Sequence, residues 1–332
     1  MSVIHGGRLD EAVAKFGGAH KKWLDLSTGI NPVAYPMPEI EERAWTQLPQ
    51  SSDIEHLLSV AKLAYGAPDD AKCAVGAGSQ AFIQAVPTLF KPQSVAIVGF
   101  TYQEHGLCWQ QAGHEVLVAD GFESAEASAR IIVLVNPNNP DGRTHDPAML
   151  AELAKRLGAK GGLLVVDEAF CDGTPELSTM KYAGQPGLLI LRSFGKFFGL
   201  AGLRLGFAFG PDLLIERLGQ CLGPWPVSSP AIAVGTNALM DKSWIKRTKK
   251  RLAANRSAFA QVLTNANLSI VGGTDLFVLV QIEYASELYE HLASKYILTR
   301  PFPGREDWLR MGIPGKKPVL NRVAKALAEF SK

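Results

Sequence analysis

The chain has 332 residues, of which 47% are hydrophobic and 20% charged, and its formal net charge is +2. This composition is typical of a globular enzyme with one large and one smaller domain, and it excludes a disordered chain. Acidic and basic residues are interspersed, so the charge favours neither nucleic acid nor a membrane surface as a partner, and small molecules are the expected ligands.

The N-terminal segment is polar, with His5 and Arg8 near its start, and no run of about 18 apolar residues occurs in the chain. We therefore expect neither a signal peptide nor a membrane span. The cysteines are scattered, with no C-x-x-C pair, which predicts reduced thiols, no metal site and a cytoplasmic protein. They are Cys73, Cys108, Cys171 and Cys221.

Short apolar runs bounded by turn residues recur in the middle of the chain. Runs of this kind predict strands buried on both faces, and helical stretches such as Pro147–Leu157 between some of them indicate an α/β sheet. The predicted strands are Val95–Phe100, Glu115–Val118, Ile131–Asn136, Leu163–Asp167, Leu188–Ser193 and Leu205–Phe209.

After Pro230 the pattern changes to that of a smaller α+β unit. The Pro- and Gly-rich segment Gly223–Pro230 is typical of a hinge between domains. We expect an N-terminal arm with part of the small domain at 1–35, a large domain at 36–230 and a small C-terminal domain at 231–332. The elements predicted there are a helical region Ala231–Leu263, a strand Leu276–Ile282, a helix Ser286–Ser294 and short apolar pieces at Ile297 and Leu309.

Polar segments stand at the ends of several predicted strands, where ligands bind in open α/β sheets. Taken singly, each has an ordinary explanation as a turn, a helix cap or a solvated lysine. Their order and spacing together are more specific. The segments are Gly76–Gln80, Asn136–Gly142, Asp167-Glu168 and Ser193–Lys196.

The spacing Ser193-x-x-Lys196, with Arg204 eight residues later, together with the sequences NPNNPDG and VVDEAF, resembles the fold-type-I family of pyridoxal-5′-phosphate (PLP) enzymes. That family includes histidinol-phosphate aminotransferase. The resemblance implies an aspartate-aminotransferase-like α/β fold, with a large domain built on a mostly parallel central sheet and a smaller α+β domain. It also implies PLP as cofactor.

The resemblance assigns roles around the cofactor ring. Lys196 is expected to form the Schiff base and then to move protons at the substrate Cα. Asp167 is expected to face the pyridine nitrogen, and Asn139 to hydrogen-bond the phenolic oxygen of the ring. Tyr102 resembles the family aromatic residue that stacks on the ring.

The cofactor phosphate is expected at the start of a helix that follows a glycine-rich turn. Gly78, Ser79 and Gln80 provide the backbone N–H groups of that helix N-terminus. Ser193 and Arg204 complete the expected phosphate site, because a guanidinium can hold a phosphate through two hydrogen bonds.

Two positions depart from the histidinol-phosphate aminotransferase pattern. Phe170 stands where a tyrosine usually helps to bind the phenolic oxygen, so one donor is missing. Leu48 stands where a tyrosine usually reaches the cofactor phosphate of the partner subunit. The family builds its sites at a subunit interface, so a homodimer is expected.

Substrate residues are expected near both ends of the chain. Arg310 resembles the family arginine that binds the substrate α-carboxylate, and Arg300 is a second candidate for that anion. His5, followed by two glycines, suits a substrate phosphate. Gly29 and Asn31 are expected beside the substrate carboxylate.

The sequences His5-Gly6-Gly7 and DLSTGINP at 25–32 resemble the threonine-phosphate decarboxylase branch, which belongs to cobalamin biosynthesis. This implies conversion of L-threonine O-3-phosphate to (R)-1-aminopropan-2-yl phosphate. The alternative is an aminotransferase acting on histidinol phosphate or a related amino acid. The two reactions differ in which Cα bond stands perpendicular to the cofactor ring, and residue types alone leave that choice open.

Overall fold

The computed structural model describes residues 5–330 of the chain. These residues form two compact units. The larger unit comprises residues 35–139 and 144–244. The smaller unit comprises residues 140–143, residues 245–330 and the described residues before Tyr35.

The strands follow the apolar runs of the sequence. All six strands predicted between residues 94 and 210 are present, with ends shifted by at most two residues. In chain order the strands are β1 (Leu24–Asp25), β2 (Lys72–Gly76), β3 (Ser94–Val98), β4 (Glu115–Ala119), β5 (Ile131–Val135), β6 (Leu163–Asp167), β7 (Leu188–Ser193), β8 (Gly206–Gly210), β9 (Ser269–Thr274), β10 (Phe277–Gln281), β11 (Ile297–Leu298), β12 (Arg300–Phe302) and β13 (Arg305–Gly312).

The helical region predicted after Pro230 is two helices, because Asp241 ends the first and its Oδ1 accepts a hydrogen bond from the backbone N–H of Trp244 in the second. Within residues 5–330, no helix is both long and apolar enough to cross a membrane. The helices are α1 (Leu9–Phe16), α2 (Arg43–Thr46), α3 (Ser51–Tyr65), α4 (Ser79–Thr88), α5 (Glu104–Gln111), α6 (Phe122–Ser128), α7 (Pro147–Ala159), α8 (Phe194–Phe197), α9 (Asp212–Leu222), α10 (Ser229–Met240), α11 (Lys242–Asn265), α12 (Ala285–Ser294) and α13 (Lys317–Ala328).

The larger unit is built on a sheet with the strand order β2-β8-β7-β6-β5-β3-β4. Strands β3 to β7 pair in parallel, whereas β8 runs antiparallel to both of its neighbours. Every side chain of strands β5, β6 and β7 is buried, and Phe82 of α4 and Leu218 of α9 pack in a core cluster with side chains of the sheet, as expected for a sheet covered by helices. The predicted α/β fold with a mostly parallel sheet is confirmed.

The smaller unit contains an antiparallel sheet with the order β12-β13-β10-β9, and β1 pairs in parallel with β11. Helices α12 and α13 contribute Leu288, Leu292 and Val323 to its buried core, together with Val278 of β10 and Leu309 of β13. This is the α+β architecture expected after Pro230.

The unit boundary near the C-terminal part of the chain lies between Trp244 and Ile245, later than the expected boundary at residue 230. The segment Gly223–Pro230 therefore lies inside the larger unit. Helix α10 packs against α3, which buries Ile232 and Val234 and keeps that helix with the large domain. The short segment 140–143 of the NPNNPDG loop is grouped with the smaller unit.

Candidate active site

A cavity opens at the carboxyl ends of the parallel strands of the larger unit. It lies where β5, β6 and β7 end, as expected for a ligand site in an open α/β sheet. Of the nine residues predicted to bind the cofactor, eight line this cavity. They are Ser79, Gln80, Tyr102, Asn139, Asp167, Ser193, Lys196 and Arg204.

Asp167 ends strand β6, and its carboxylate is buried and held by two hydrogen bonds. Its Oδ2 lies 3.0 Å from Nε2 of the buried His105, and its Oδ1 accepts from the backbone N–H of Ala169 at 3.0 Å. The two contacts orient the carboxylate in the cavity. Sequence reasoning missed His105, although its place one helical turn after Tyr102 is a signal that could have found it.

Lys196 lies in the short helix α8, directly after strand β7. A Cβ atom at Gly195 would come within 2.7 Å of the Cα of Ala201, so only glycine permits this close approach of the two segments. The ring of Phe194 stacks on that of Phe198, with centroids 4.3 Å apart. These contacts hold the lysine-bearing turn in one conformation, with Lys196 on the cavity wall.

The N-terminus of α4 and the side chain of Arg204 lie together on the cavity wall, where the cofactor phosphate is expected. No side chain caps this helix at Gly78, whose φ of +80° places it in the left-handed region. A Cβ atom at Gly78 would lie 2.7 Å from Nη2 of Arg204, so glycine leaves room for the guanidinium. Arg204 itself has φ +53°, a conformation that is costly for a residue with a Cβ and recurs at functional sites.

Gln80 has a role beyond the predicted contribution to the phosphate site. The hydroxyl of Tyr102 donates to Oε1 of Gln80 at 3.3 Å, and Nε2 of Gln80 donates to Glu104 at 3.0 Å. This chain of hydrogen bonds holds the Tyr102 ring at the cavity.

The NPNNPDG loop is fastened to the end of β3 through Asn138. The hydroxyl of Thr101 donates to Oδ1 of Asn138 at 2.6 Å, and Nδ2 of Asn138 donates to the carbonyl of Phe100 at 3.0 Å. Asn139, the next residue, lines the cavity. Phe170 also lines the cavity, so a phenyl ring without a hydroxyl stands where the family usually has a tyrosine.

The smaller unit contains a second cavity, on which two of the predicted substrate residues lie. His5 and Arg300 line it together with Arg8 and Lys15, and Glu11 on the same wall pairs with Arg8, so cationic side chains outnumber acidic ones there. A cavity of this composition suits an anion.

Arg310 and Arg300 face each other across strands β13 and β12, and both are buried. Side chains at directly opposite positions of an antiparallel pair lie on the same face of the sheet. Nη2 of Arg310 donates to the carbonyl of Ser27 at 2.7 Å. Two guanidinium groups therefore lie on one face of this sheet.

The segment 25–32 is ordered by its own side chains. Oδ1 of Asp25 accepts from both the backbone N–H and the hydroxyl of Ser27, and Oγ of Ser27 accepts from the N–H of Gly7. The structure thereby joins this segment to the His5-Gly6-Gly7 turn. Gly29 and Asn31 are buried in the same segment, where Oδ1 of Asn31 accepts from the N–H of Val33 at 3.0 Å.

The cavity of the larger unit matches the chemistry of an aldehyde-bearing pyridine phosphate. It offers an amine for the aldehyde, a buried carboxylate for the ring nitrogen, an aromatic ring for stacking, and a helix N-terminus with a guanidinium for the phosphate. The glycines at 78 and 195 provide room that a side chain would fill. Fold and cavity together define a PLP enzyme of the aspartate-aminotransferase type.

Comparison with known proteins agrees with this class. The family described as aminotransferase class I and II matches residues 52–327, so the chain belongs to that family, and its cofactor is PLP. A solved histidinol-phosphate aminotransferase from Clostridium acetobutylicum has the same fold, with a TM-score of 0.83 and 21% identity, over 92% of this chain and 98% of the other.

Two curated relatives resemble the chain over almost its whole length. A threonine-phosphate decarboxylase from a Sinorhizobium species is 42% identical over 99% of this chain and 98% of its own. A threonine-phosphate decarboxylase from Pseudomonas aeruginosa is 41% identical over 98% of this chain and 97% of its own. The similarity therefore includes both structural units.

Proposed function

We propose that this chain decarboxylates L-threonine O-3-phosphate to (R)-1-aminopropan-2-yl phosphate, a reaction of cobalamin biosynthesis. The proposal rests on the full-length similarity to two threonine-phosphate decarboxylases. The cofactor cavity supports it, because the lysine and carboxylate that a PLP enzyme needs are both on its wall. The cysteines are free thiols, which supports a cytoplasmic location.

Bound PLP supplies an electron sink for the pair released when a Cα bond of the substrate breaks. In the proposed reaction the bond between Cα and the carboxylate breaks, carbon dioxide leaves, and a proton takes its place on Cα. The amine of Lys196 is the residue that we propose to carry this proton. Asp167, oriented by His105, supplies a negative charge that favours a protonated ring nitrogen.

The substrate carries two anionic groups, and the smaller unit offers cationic residues for both. We propose that Arg310 binds the carboxylate, next to the buried segment that carries Gly29 and Asn31. We propose that His5 binds the phosphate. Arg300 lines the same cavity as His5, which favours the phosphate for this residue in place of the carboxylate first considered.

A product assay tests the proposed reaction and separates it from transamination. The purified protein with PLP is incubated with L-threonine O-3-phosphate, and carbon dioxide and aminopropanol phosphate are measured. In parallel, histidinol phosphate and 2-oxoglutarate are supplied and glutamate is measured. Release of carbon dioxide without glutamate formation is the expected result, and the reverse would establish the aminotransferase.

Replacing His5 with alanine is expected to reduce the preference for threonine phosphate over threonine. A hydrogen bond to a charged group is worth about 1.5–3 kcal/mol, so the ratio of the two kcat/KM values should fall roughly 10- to 150-fold. Arg310→Ala should instead slow both substrates, because both carry the carboxylate.

The matched control for His5→Ala is His20→Ala. His20 belongs to the same unit, is exposed and pairs with Asp10. Its replacement should leave the ratio unchanged, and the PLP affinity of all three variants should equal that of the wild type. An unchanged ratio in His5→Ala would remove the N-terminal turn from the phosphate site.

We propose a homodimer in which a second copy covers a groove of the larger unit that has both polar and apolar side chains on its wall. Leu48 lines this groove with Ile232 and Ala233 of α10, and Leu48 is 58% exposed. The neighbouring Trp45 is 66% exposed. Large apolar side chains that are exposed close together in the chain favour a surface that a partner covers.

The double variant Trp45→Glu/Leu48→Glu is expected to be monomeric in sedimentation experiments at micromolar concentration, where the wild type is a dimer. Buried glutamates at an interface are strongly disfavoured unless they are paired. The control is Leu213→Glu, which changes a leucine of α9 that is 76% exposed and should remain dimeric. A wild-type monomer with full activity at nanomolar concentration would contradict a shared site.

A further inference from the structure

A buried cluster of charged side chains lies at the ends of β6 and β7. Arg192, 3% exposed, is between two carboxylates. Its Nη1 donates to Glu168 at 2.9 Å and its Nη2 donates to Asp172 at 2.7 Å. The guanidinium carbon also lies 4.4 Å from the centroid of the Tyr65 ring, so the cation is held from three sides.

Glu168 binds more than the arginine. Its carboxylate accepts hydrogen bonds from the hydroxyl of Ser178 and from both the backbone N–H and the hydroxyl of Thr179, at 2.5, 2.6 and 2.7 Å. Glu168 is completely buried. One carboxylate therefore connects the end of β6, the end of β7 and the segment around residue 178.

The residues of this cluster alternate with residues of the cofactor cavity. Glu168 directly follows Asp167, and Arg192 directly precedes Ser193. Because successive side chains in a strand point to opposite faces, β7 directs Arg192 to one face and Ser193 to the other, and Glu168 follows Asp167 at the end of β6. A shift by one residue in either strand would turn the cavity residue away from the cofactor.

The same guanidinium also holds the loop that follows β6. Ala169 and Phe170 line the cavity, and they lie between Glu168 and Asp172, the two residues that Arg192 binds. The Phe170 ring centroid lies 5.7 Å from Nζ of Lys196. A substitution of Arg192 is therefore expected to displace the cavity residues through both strands and through this loop.

Stability alone does not account for such a cluster. Replacing a buried ion pair with apolar side chains of similar volume is often neutral or stabilising, because removing charges from water is costly. Only an arginine can bind two carboxylates through separate nitrogens of one rigid plane while it stacks on an aromatic ring. The arrangement is therefore better suited to holding the cavity residues in place than to stabilising the fold.

We propose that Arg192 is a positioning residue, whose two ion pairs hold Asp167, Phe170 and Lys196 at fixed places around the PLP ring. This role does not depend on which substrate the enzyme uses. Its test therefore uses cofactor binding and the visible spectrum, and its outcome is separate from that of the proposed decarboxylation.

The test compares stability with cofactor binding in a variant that leaves no buried charge without its partner. For the triple variant Arg192→Met/Glu168→Gln/Asp172→Asn, the free energy of unfolding of the apoprotein in urea should be close to that of the wild type. The dissociation constant of PLP should rise at least about tenfold, because displacements near 1 Å in a site have effects of this size or larger. The pH midpoint of the visible band of bound PLP should also shift.

The matched control is Arg156→Met, which removes an arginine that pairs with Glu126 between α6 and α7 of the same unit. It should alter neither PLP affinity nor the pH midpoint. A folded triple variant with wild-type values for both would overturn the proposal.

If the triple variant does not fold, the single variant Asp172→Asn tests the positioning role. It keeps the pair between Arg192 and Glu168 and loosens the loop that carries Phe170. Weaker PLP binding with a shifted pH midpoint supports the positioning role, and wild-type values for both contradict it. Arg192→Lys keeps the positive charge but cannot bind the two carboxylates through separate nitrogens of one plane. Its PLP affinity and pH midpoint should therefore be closer to those of Asp172→Asn than to those of the wild type.

Discussion

Lys196→Ala is expected to lose covalent attachment of PLP and to lower kcat at least about a thousand-fold, because one amine provides both the covalent link and the proton transfer. Lys196 is the lysine on the wall of the cofactor cavity, directly after strand β7. Its neighbours Gly195 and Phe194 hold that turn closely packed, so no other side chain can take its position without rearrangement.

The measurement is borohydride reduction followed by peptide mapping, with steady-state rates on the same samples. Wild-type protein should carry the pyridoxyl group on Lys196, and the alanine variant should carry none. Lys181→Ala is the control, since Lys181 belongs to the same unit and lies against the Tyr182 ring. A pyridoxyl group on any lysine other than Lys196 would end the assignment.

Asp167→Asn is expected to lower kcat roughly 150- to 5,000-fold, since removing one partner of a buried ion pair costs about 3–5 kcal/mol. The side chain is 2% exposed, so water cannot replace the lost charge. An amide also has a different hydrogen-bonding capacity toward His105, whose Nε2 lies 3.0 Å from the carboxylate.

The effect should appear mainly in kcat, measured at a temperature where both apoproteins are folded. PLP should still attach to Lys196, so the borohydride product is retained. The control is Asp146→Asn, because Asp146 caps helix α7 away from the cavity and asparagine caps helices equally well. A kcat within about threefold of the wild type in Asp167→Asn would mean that the carboxylate does not face the ring nitrogen.

Much of the larger unit could be predicted from the sequence, because its signals are local. Strands β5, β6 and β7 are continuous apolar runs, and such runs predict strands buried on both faces. Strand β2 escaped prediction, since its five residues begin with an exposed Lys72 and a half-buried Cys73. The boundary at residue 244 escaped as well, because it depends on the packing of α10 against α3.

The substrate residues remain predictions, but the structure adds connections among some of them. Ser27 connects the His5-Gly6-Gly7 turn to Arg310, although Arg310 lies 283 residues later in the chain. The strand pairing places Arg300 opposite Arg310. Neither contact has a signature in the sequence, because register between strands is set by the whole sheet.

By itself, the sequence determined the class of enzyme, and it predicted the cofactor lysine and the carboxylate for the ring, since each belongs to a short motif in which neighbouring residues carry the signal. Only the tertiary structure decided how these groups are held. His105 reaches Asp167 across 62 residues, and Arg192 reaches Glu168 across 24. Such pairs form because folding brings distant side chains into a space without water, where an unpaired charge is costly. The order of residue types along the chain does not show which of these distant side chains will be in contact.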